Sequence, residues 1–257
     1  MRQVTDTRHL KRAARQCMGR TGSPGADGMS WRAFRQDMPA HLADLSTRLT
    51  DGTWQPHPVR EITFDAWGKQ HHVGIPTVTD RIVHRAMRNA AEPVLERDAY
   101  PEWMFGWHRR AGRPLAVAAA ARHLNAGRTW VADLDIAAAS QGVTLEDAIS
   151  SVAAFVTDGT YLALLRRILT ALPDPLHPGS GFNPMLTNLR MTPVDQALAD
   201  LAIVRLTDNY TAFCRTRAEA GHAWQRVVDA LAAHGLRPAP AKSKIWRPNP
   251  EDLYAAG

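Results

Sequence analysis

Hydrophobic residues recur every three to four positions over several stretches of the chain, and this spacing predicts amphipathic helices. In the stretch that begins at Thr79, one helical face carries Ile82, Val83, Ala86 and Met87. Pro93 is expected to kink or end that helix. A short helix capped by Ser30 is also predicted, and further helices are predicted over residues 8–20, 37–52, 113–127, 144–156, 160–172 and 217–235. One more helix is predicted to follow the loop at residues 173–184 and to run to about Leu201.

Other stretches alternate between apolar and polar residues or are short and apolar throughout, which is typical of strands. Residues 53–64 and 70–75 are predicted to pair around the turn "DAWGK". The stretch "TWVADLDI" indicates a buried strand, and "KSKIW" indicates a final strand. In "IVRLTDNYTAFC" (residues 203–214), two apolar stretches flank a polar centre, so we expect a hairpin whose turn is supplied by Asp208 and Asn209.

The predicted strands lie far apart in the sequence and are separated by helices. The strand that ends at Asp135 and the hairpin that holds Asp208 are expected to share one antiparallel sheet backed by helices. The fold class predicted from this order is therefore α+β.

Composition limits the class of protein. The chain has 257 residues, 45% hydrophobic and 22% charged, which suits one large domain or two joined subdomains of a globular protein. No apolar run is long enough to span a bilayer, and the N-terminus lacks the apolar stretch of a secretory signal, so we expect a cytoplasmic location without membrane contact. Cys17 and Cys214 have no partners at zinc spacing, and both are expected to be reduced thiols.

Positive charge predominates, with 31 Lys and Arg against 25 Asp and Glu and a net charge of +6. The basic residues form four clusters, at residues 8–20, 81–88, 107–113 and 242–247. A solvated surface explains a single cluster, whereas several clusters in one basic chain favour a polyanionic partner such as nucleic acid.

Two carboxylates lie at the end of the strand "VADLDI". Asp133 and Asp135 are two residues apart and share one strand face. For Asp133, we expect a cap on the following helix. For Asp135, the hairpin residue Asp208 offers a partner, and two carboxylates brought together repel unless a cation lies between them. Oxygen ligands without a nearby thiol suit Mg²⁺, with Mn²⁺ as a substitute.

The order and wording of several segments resemble the reverse transcriptase family, most closely its group II intron-like bacterial type. The resemblance runs from about Gly25 to Ile245. It is carried in order by "GADGMSWRAF", "LTDGTWQPHPVREI", "HHVGIPTVTDRIVHRAM", "FGWHRRAGRP", "WVADLDI", "NPMLTNLRMTPVD", "VRLTDNYTAFCRTRAEA" and "HGLRPAPAKSKI".

The resemblance implies a fingers-palm polymerase core with a basic N-terminal helix at residues 1–24, a fingers-like region at 25–128 and a palm-like region at 129–257. It places Asp135, Ile136 and Asp208 at the metal and Asn209 beside them in the catalytic hairpin. It further implies roles for residues outside the metal site: nucleotide binding by His71, Arg109, Arg110, Ser140 and Lys242, and nucleic-acid binding by Arg81, Arg85 and Arg88.

The chain departs from the family pattern mainly in the residues that would contact nucleotide. Asn209 stands where the family has a second hairpin Asp, and Leu206 replaces the hairpin Tyr. Ser140 replaces an aromatic residue that excludes a ribose 2′-hydroxyl, and His71 replaces an Arg that would touch triphosphate. In addition, Pro178 replaces a loop Gln. The metal carboxylates thus persist, while the nucleotide pocket differs.

Three functions stay open at this point. The first is two-metal nucleotidyl transfer to a nucleic-acid 3′ end, with altered nucleotide selectivity. The second is a catalytically silent palm that binds RNA or a protein partner, and the third is nucleotidyl transfer to an acceptor other than nucleic acid. Because the sequence ends at Gly257, soon after Lys242, a thumb domain is expected to be absent. A protein partner or a homo-oligomer would then supply the grip on the duplex.

Overall fold

The computed structural model describes residues 1–19, 22–66, 68–107 and 111–248. In chain order, the elements are α1 (Arg2–Thr5), α2 (Thr7–Met18), α3 (Trp31–Gln36), α4 (Met38–Thr50), β1 (Arg60–Ala66), β2 (Lys69–Ile75), α5 (Val78–Asp98), α6 (Arg113–Asn125), β3 (Trp130–Asp135), α7 (Leu145–Ala153), α8 (Gly159–Thr170), α9 (Asn183–Ala197), β4 (Ile203–Leu206), β5 (Asn209–Cys214), α10 (Arg217–Ala232) and β6 (Lys244–Trp246). A short 3₁₀ helix, Pro240–Lys242, precedes β6.

The predicted mixture of helices and antiparallel sheets is confirmed, with differences at some boundaries. Helix α5 continues through Pro93 to Asp98, so the alternative in which Pro93 ends the helix is wrong. Ser30 caps α3 as predicted, because its hydroxyl accepts a hydrogen bond from the Ala33 amide. Among the described residues, no helix is both long and apolar enough to cross a membrane.

The chain forms two compact units, and each unit combines two separate stretches of sequence. Unit 1 contains residues 1–98 and 140–186, and unit 2 contains residues 99–139 and 187–257. Each unit thus has a core assembled from distant segments. The division into regions 1–24, 25–128 and 129–257 stays a prediction.

Unit 1 is mainly helical and carries a two-stranded antiparallel sheet, β1–β2. Its buried core residues include Leu10, Phe34, Trp54 and Met87, which come from α2, α3, the segment after α4 and α5. The hydroxyl of Tyr161 on α8 donates to the Met87 carbonyl at 3.2 Å. This bond fixes the later sequence segment of unit 1 against α5.

Unit 2 is built around a four-stranded antiparallel sheet with strand order β4–β5–β3–β6, counted over the described residues. Alternation along the strands gives the sheet two different faces. One face holds Ala132, Leu134, Tyr210 and Ala212, and it packs with buried residues of α9 and α10 in a continuous core. The predicted sheet shared by the Asp135 strand and the Asp208 hairpin, backed by helices, is therefore confirmed.

The opposite face of the same sheet is apolar at one end only. Val131 and Phe213 are buried there in a smaller cluster with Ala116 and Ala119 of α6. Further along β3, the residues on this face are Asp133 and Asp135. The chain therefore changes from apolar to acidic along one face of a single strand.

Candidate functional site

The hairpin β4–β5 turns at Thr207 and Asp208, because Leu206 pairs with Asn209 across the turn. The prediction that Asp208 and Asn209 supply the turn is wrong for Asn209, which is the first residue of β5. Thr207 instead takes the left-handed conformation, at φ 60°. That conformation is unfavourable for a β-branched residue, so other groups must hold the turn.

The end of β3 lies directly beside this turn. Asp135 is the register partner of Asn209. The next amide along the chain, that of Ile136, donates to the Asp208 carbonyl at 3.0 Å. Backbone pairing therefore brings Asp135, Ile136, Asp208 and Asn209 into one small region at the ends of the two inner strands.

The site is the polar end of the sheet face opposite the main core. Directly paired residues of an antiparallel sheet share a face, so Asp133 and Asp135 lie on the same side as Thr211 and Asn209. The Thr211 hydroxyl lies 2.9 Å from a carboxylate oxygen of Asp133 and 2.9 Å from the amide oxygen of Asn209. On β3, this polar cluster extends from Asp133 to Asp135, and on β5 it extends from Asn209 to Thr211.

Asp133 does not cap the following helix, so that prediction is wrong. Thr144 caps α7, with its hydroxyl accepting from the Asp147 amide and the Asp147 carboxylate accepting from the Thr144 amide. Asp133 lies within β3, and its side chain contacts Thr211. The expectation failed because α7 does not follow the strand directly: the residues between Asp135 and Thr144 form a turn of their own.

Lys242 contacts Asp135 directly. Its ammonium lies 3.1 Å and 3.3 Å from the two carboxylate oxygens of Asp135. The Lys242 side chain is 57% exposed and that of Asp135 is 20% exposed, so the ion pair lies at the rim of the site. The backbone of Asp135 is also fixed, because its amide donates to the Ser243 hydroxyl and its carbonyl accepts from the Ala239 amide.

A buried charge network supports the turn from the core side. Arg205 is fully buried and donates to both carboxylate oxygens of Asp195, at 2.9 Å and 2.7 Å. The same guanidinium donates to the Thr207 carbonyl at 2.9 Å and to the Asn188 side-chain oxygen at 3.1 Å. The Tyr210 hydroxyl donates to Asp195 at 2.5 Å. Arg205 therefore ties the hairpin turn to helix α9.

Burial dominates the proton equilibria of this network. It raises the pKa of Asp195, although the Arg205 guanidinium acts in the opposite direction. Burial and the neighbouring Asp195 charge raise the pKa of Tyr210 well above its usual value. Tyr210 therefore stays a hydrogen-bond donor at neutral pH.

Gly106 packs against the other side of the turn. A side chain at this position would place its Cβ 2.3 Å from the Thr207 amide nitrogen, so only glycine fits without moving the turn. The Gly106 carbonyl accepts from the Asn188 side chain at 3.0 Å. The support of the turn by Arg205, Asp195, Asn188 and Gly106 was not predicted. The available signal was the charge of Arg205 within an otherwise apolar strand.

The donor types of the site fit a divalent cation. Asp135 and Asp208 supply carboxylates, and Asn209 supplies an amide oxygen. Over the part of the chain that the structure describes, no three His, Cys, Asp or Glu side chains are grouped closely enough to hold a metal ion. Mg²⁺ is commonly held by one or two carboxylates together with water and substrate phosphates, so this donor set is compatible with it.

The remaining predicted residues are described by the unit to which each belongs. His71 lies in β2 of unit 1, where its ring stacks on Phe64 with 5.4 Å between centroids. Ser140 is the first residue of the second segment of unit 1. Arg109 and Arg110 lie outside the described residues. A pocket of unit 1 is lined by the three residues predicted to bind nucleic acid, Arg81, Arg85 and Arg88.

The end of the strand that bears Asp135 thus lies beside the hairpin turn that bears Asp208, in an antiparallel sheet packed on helices. The chain belongs to the reverse transcriptase family, because the family described as reverse transcriptase (RNA-dependent DNA polymerase) matches residues 65–251. Protein YkfC of Escherichia coli (strain K12) is 26% identical over 215 residues, which cover 77% of this chain and 56% of YkfC. The chain thus spans little more than half the length of this curated relative. The family predicted from the sequence motifs is confirmed.

Proposed function

We propose that this chain transfers nucleotides to the 3′ end of a nucleic acid, with unit 2 as the palm of a fingers-palm core of the group II intron-like type. The observation that carries the proposal is the pairing of Asp135 with Asn209, together with the hydrogen bond from the Ile136 amide to the Asp208 carbonyl. These contacts fix the backbone that bears both carboxylates. A nucleotidyl-transfer function in general also agrees with membership of the reverse transcriptase family.

In this proposal, Asp135 and Asp208 hold two divalent cations, with the Ile136 carbonyl and the Asn209 amide oxygen as further ligands. The bound cations would stabilise charge on the attacking and leaving oxygens. Lys242, which contacts Asp135 in the structure, would turn toward the phosphates of an incoming nucleotide. The other residues assigned to nucleotide contact are His71, Arg109, Arg110 and Ser140.

The test is primer extension with all dNTPs and all rNTPs, in Mg²⁺ and in Mn²⁺. Wild-type protein should extend the primer. Asp135→Asn and Asp208→Asn should each abolish extension, because each substitution removes the negative charge of a metal ligand while the shape of the side chain is nearly unchanged. Asp133→Asn is the matched control, since it lies on the same strand and keeps an oxygen for Thr211. Equal loss of activity in the control and in the other two variants would contradict the assignment.

One observation favours a second function, a catalytically silent palm that binds RNA or a protein partner. The Lys242 ammonium already balances the charge of Asp135. If this pair persists when a metal ion is offered, wild type will neither bind Mn²⁺ nor extend a primer, while RNA binding persists. If Lys242 only competes with the cation, Lys242→Gln will bind Mn²⁺ more tightly than wild type, as measured by electron paramagnetic resonance.

The third function, transfer to an acceptor other than nucleic acid, is tested in the same reactions. An α-labelled nucleotide would then become attached to protein or to a small molecule, and the labelling would depend on Asp135 and Asp208.

In this proposal, a protein partner or a second copy of the chain would hold the duplex in place. Size measurement with and without a primer-template would detect a change in assembly.

A further inference from the structure

Three arginines of α5 line a pocket within unit 1. Arg81, Arg85 and Arg88 follow the spacing that places side chains on one face of a helix. The pocket has a volume of about 290 Å³, and its other lining residues are Cys17, Gly22, Gly179, Ser180, Gly181 and Pro184. The helix thus presents a row of guanidinium groups toward a loop of small residues.

Two of these arginines are held in place by neighbouring oxygen atoms. Arg81 donates to the Ser23 carbonyl at 2.8 Å, and its guanidinium lies 5.4 Å from the centroid of the Trp31 ring. Arg88 donates to the Gly181 carbonyl at 3.2 Å and to the Glu92 carboxylate at 2.8 Å. These contacts orient the guanidinium groups before any ligand binds, which lowers the entropic cost of binding.

The charge of the lining is positive. Glu92 balances Arg88, but no acidic residue is among the described residues that line the pocket. Arg81 is partly buried, and this burial lowers its pKa, although the nearby Asp27 and Asp80 carboxylates act in the opposite direction. Like charges held together in a partly desolvated pocket are stabilised by an anion.

The loop opposite the arginines is pressed closely against the rest of unit 1. A Cβ at Gly179 would lie 2.0 Å from the Gly74 carbonyl oxygen, and one at Gly181 would lie 2.7 Å from the His84 Cβ. Ser180, between them, accepts a hydrogen bond from the Phe182 amide through its hydroxyl oxygen. Its hydroxyl hydrogen can then be donated toward a ligand.

We propose that this pocket binds a single phosphate group, in the form of a phosphomonoester. Guanidinium groups donate two parallel hydrogen bonds to phosphate oxygens, and a dianion matches the excess positive charge of the lining. The volume lies at the lower limit for small-molecule sites, which suits a phosphate with a small part of its substituent. Phosphate binding in this pocket does not depend on activity at Asp135 and Asp208.

The experiment is calorimetric titration with inorganic phosphate, a 5′-mononucleotide, the matching nucleoside, and one oligonucleotide with and without a 5′-phosphate. The mononucleotide and the 5′-phosphorylated oligonucleotide should bind, and the nucleoside should not. Arg85→Gln should weaken binding at least about tenfold, the effect expected for loss of a charge-assisted hydrogen bond. Arg122→Gln, at an exposed position of α6, is the control with the same change in charge and should bind as wild type.

Cys17 gives a second measurement that needs no variant. It lines the pocket, whereas Cys214 is buried in unit 2. The mononucleotide should slow alkylation of Cys17 but leave Cys214 unchanged, as followed by peptide mass spectrometry. Equal binding of both oligonucleotides without binding of the mononucleotide would overturn the proposal in favour of contact with the nucleic-acid backbone. Equal affinities of Arg85→Gln and Arg122→Gln would also overturn it.

Discussion

Replacing Arg205 by Met tests whether the buried charge network holds the Asp208 turn. The substitution removes both hydrogen bonds to Asp195 and the bond to the Thr207 carbonyl, while it keeps an unbranched side chain in the core. Asp195 then stays buried, with Tyr210 as its remaining donor in the network. An uncompensated carboxylate in the core is the main source of the expected loss.

The expected cost is about 3–5 kcal/mol of unfolding free energy, the range for breaking a buried ion pair. At roughly 2–4 °C per kcal/mol for a chain of this size, Tm should fall by about 10 °C. Arg226 offers a matched control, because it makes the same two-bond contact with Asp200 at the surface, where the two side chains are 42% and 68% exposed. Arg226→Met should cost less than about 1 kcal/mol.

Urea unfolding of Arg205→Met, Asp195→Leu and the double variant separates stability from positioning. Removing both charges eliminates the buried unpaired group, so the double variant should be much more stable than the sum of the single losses implies. It still lacks the donor to the Thr207 carbonyl, so primer extension should stay low even where stability recovers. Additive losses of stability would contradict the unpaired-charge explanation. Full activity in the double variant would refute the positioning role.

Three further predictions concern pH, salt and sugar choice. Burial lowers the pKa of His84 to about 3, so between pH 7 and pH 5 the unfolded chain takes up a proton that the folded chain does not. The free energy of unfolding should therefore fall by about 2 kcal/mol over this range. In urea unfolding, His84→Gln should flatten this pH dependence, whereas His234→Gln, at an exposed position, should not. Nucleic-acid affinity should fall with salt, with a log–log slope of roughly −0.7 to −0.9 per phosphate neutralised, and an affinity that is independent of salt would contradict the basic-cluster interpretation. Ser140 is smaller than the aromatic residue of the family, so the wild-type kcat/KM values for matched dNTPs and rNTPs should be similar, and Ser140→Phe should lower the value for rNTPs. Strong dNTP preference in the wild type would contradict this.

The sheet of unit 2 could be predicted because each of its strands can be recognised from a short stretch of sequence. Each strand is a short apolar stretch bounded by turn residues, and the alternation along β3 and β5 assigns each side chain to a face. The proximity of Asp135 to the hairpin follows from antiparallel pairing once the two segments share a sheet. The motif order of the family added the expectation that they do.

The contacts that hold the turn could not be predicted, because they depend on packing between distant segments. In the sequence, Arg205 stands within an apolar stretch, and its partners Asp195 and Asn188 come from a helix whose register against the sheet the sequence does not specify. The ion pair between Lys242 and Asp135 likewise joins residues that are far apart in the chain. Periodicity predicts the elements, but it does not specify which charges meet.

The turn itself bears on the choice between a catalytic and a silent palm. A two-residue hairpin can be made at little cost with Asn and Gly, whereas this one places Thr207 at φ 60° and requires glycine at position 106. It also requires the desolvation of Arg205 and Asp195, which is unfavourable unless every partner is in place. Each of these unfavourable free-energy terms arises from holding the backbone that carries Asp208 in this conformation. A hairpin that served only to close the sheet would need none of them, so the energetic pattern favours a role in which the position of Asp208 matters.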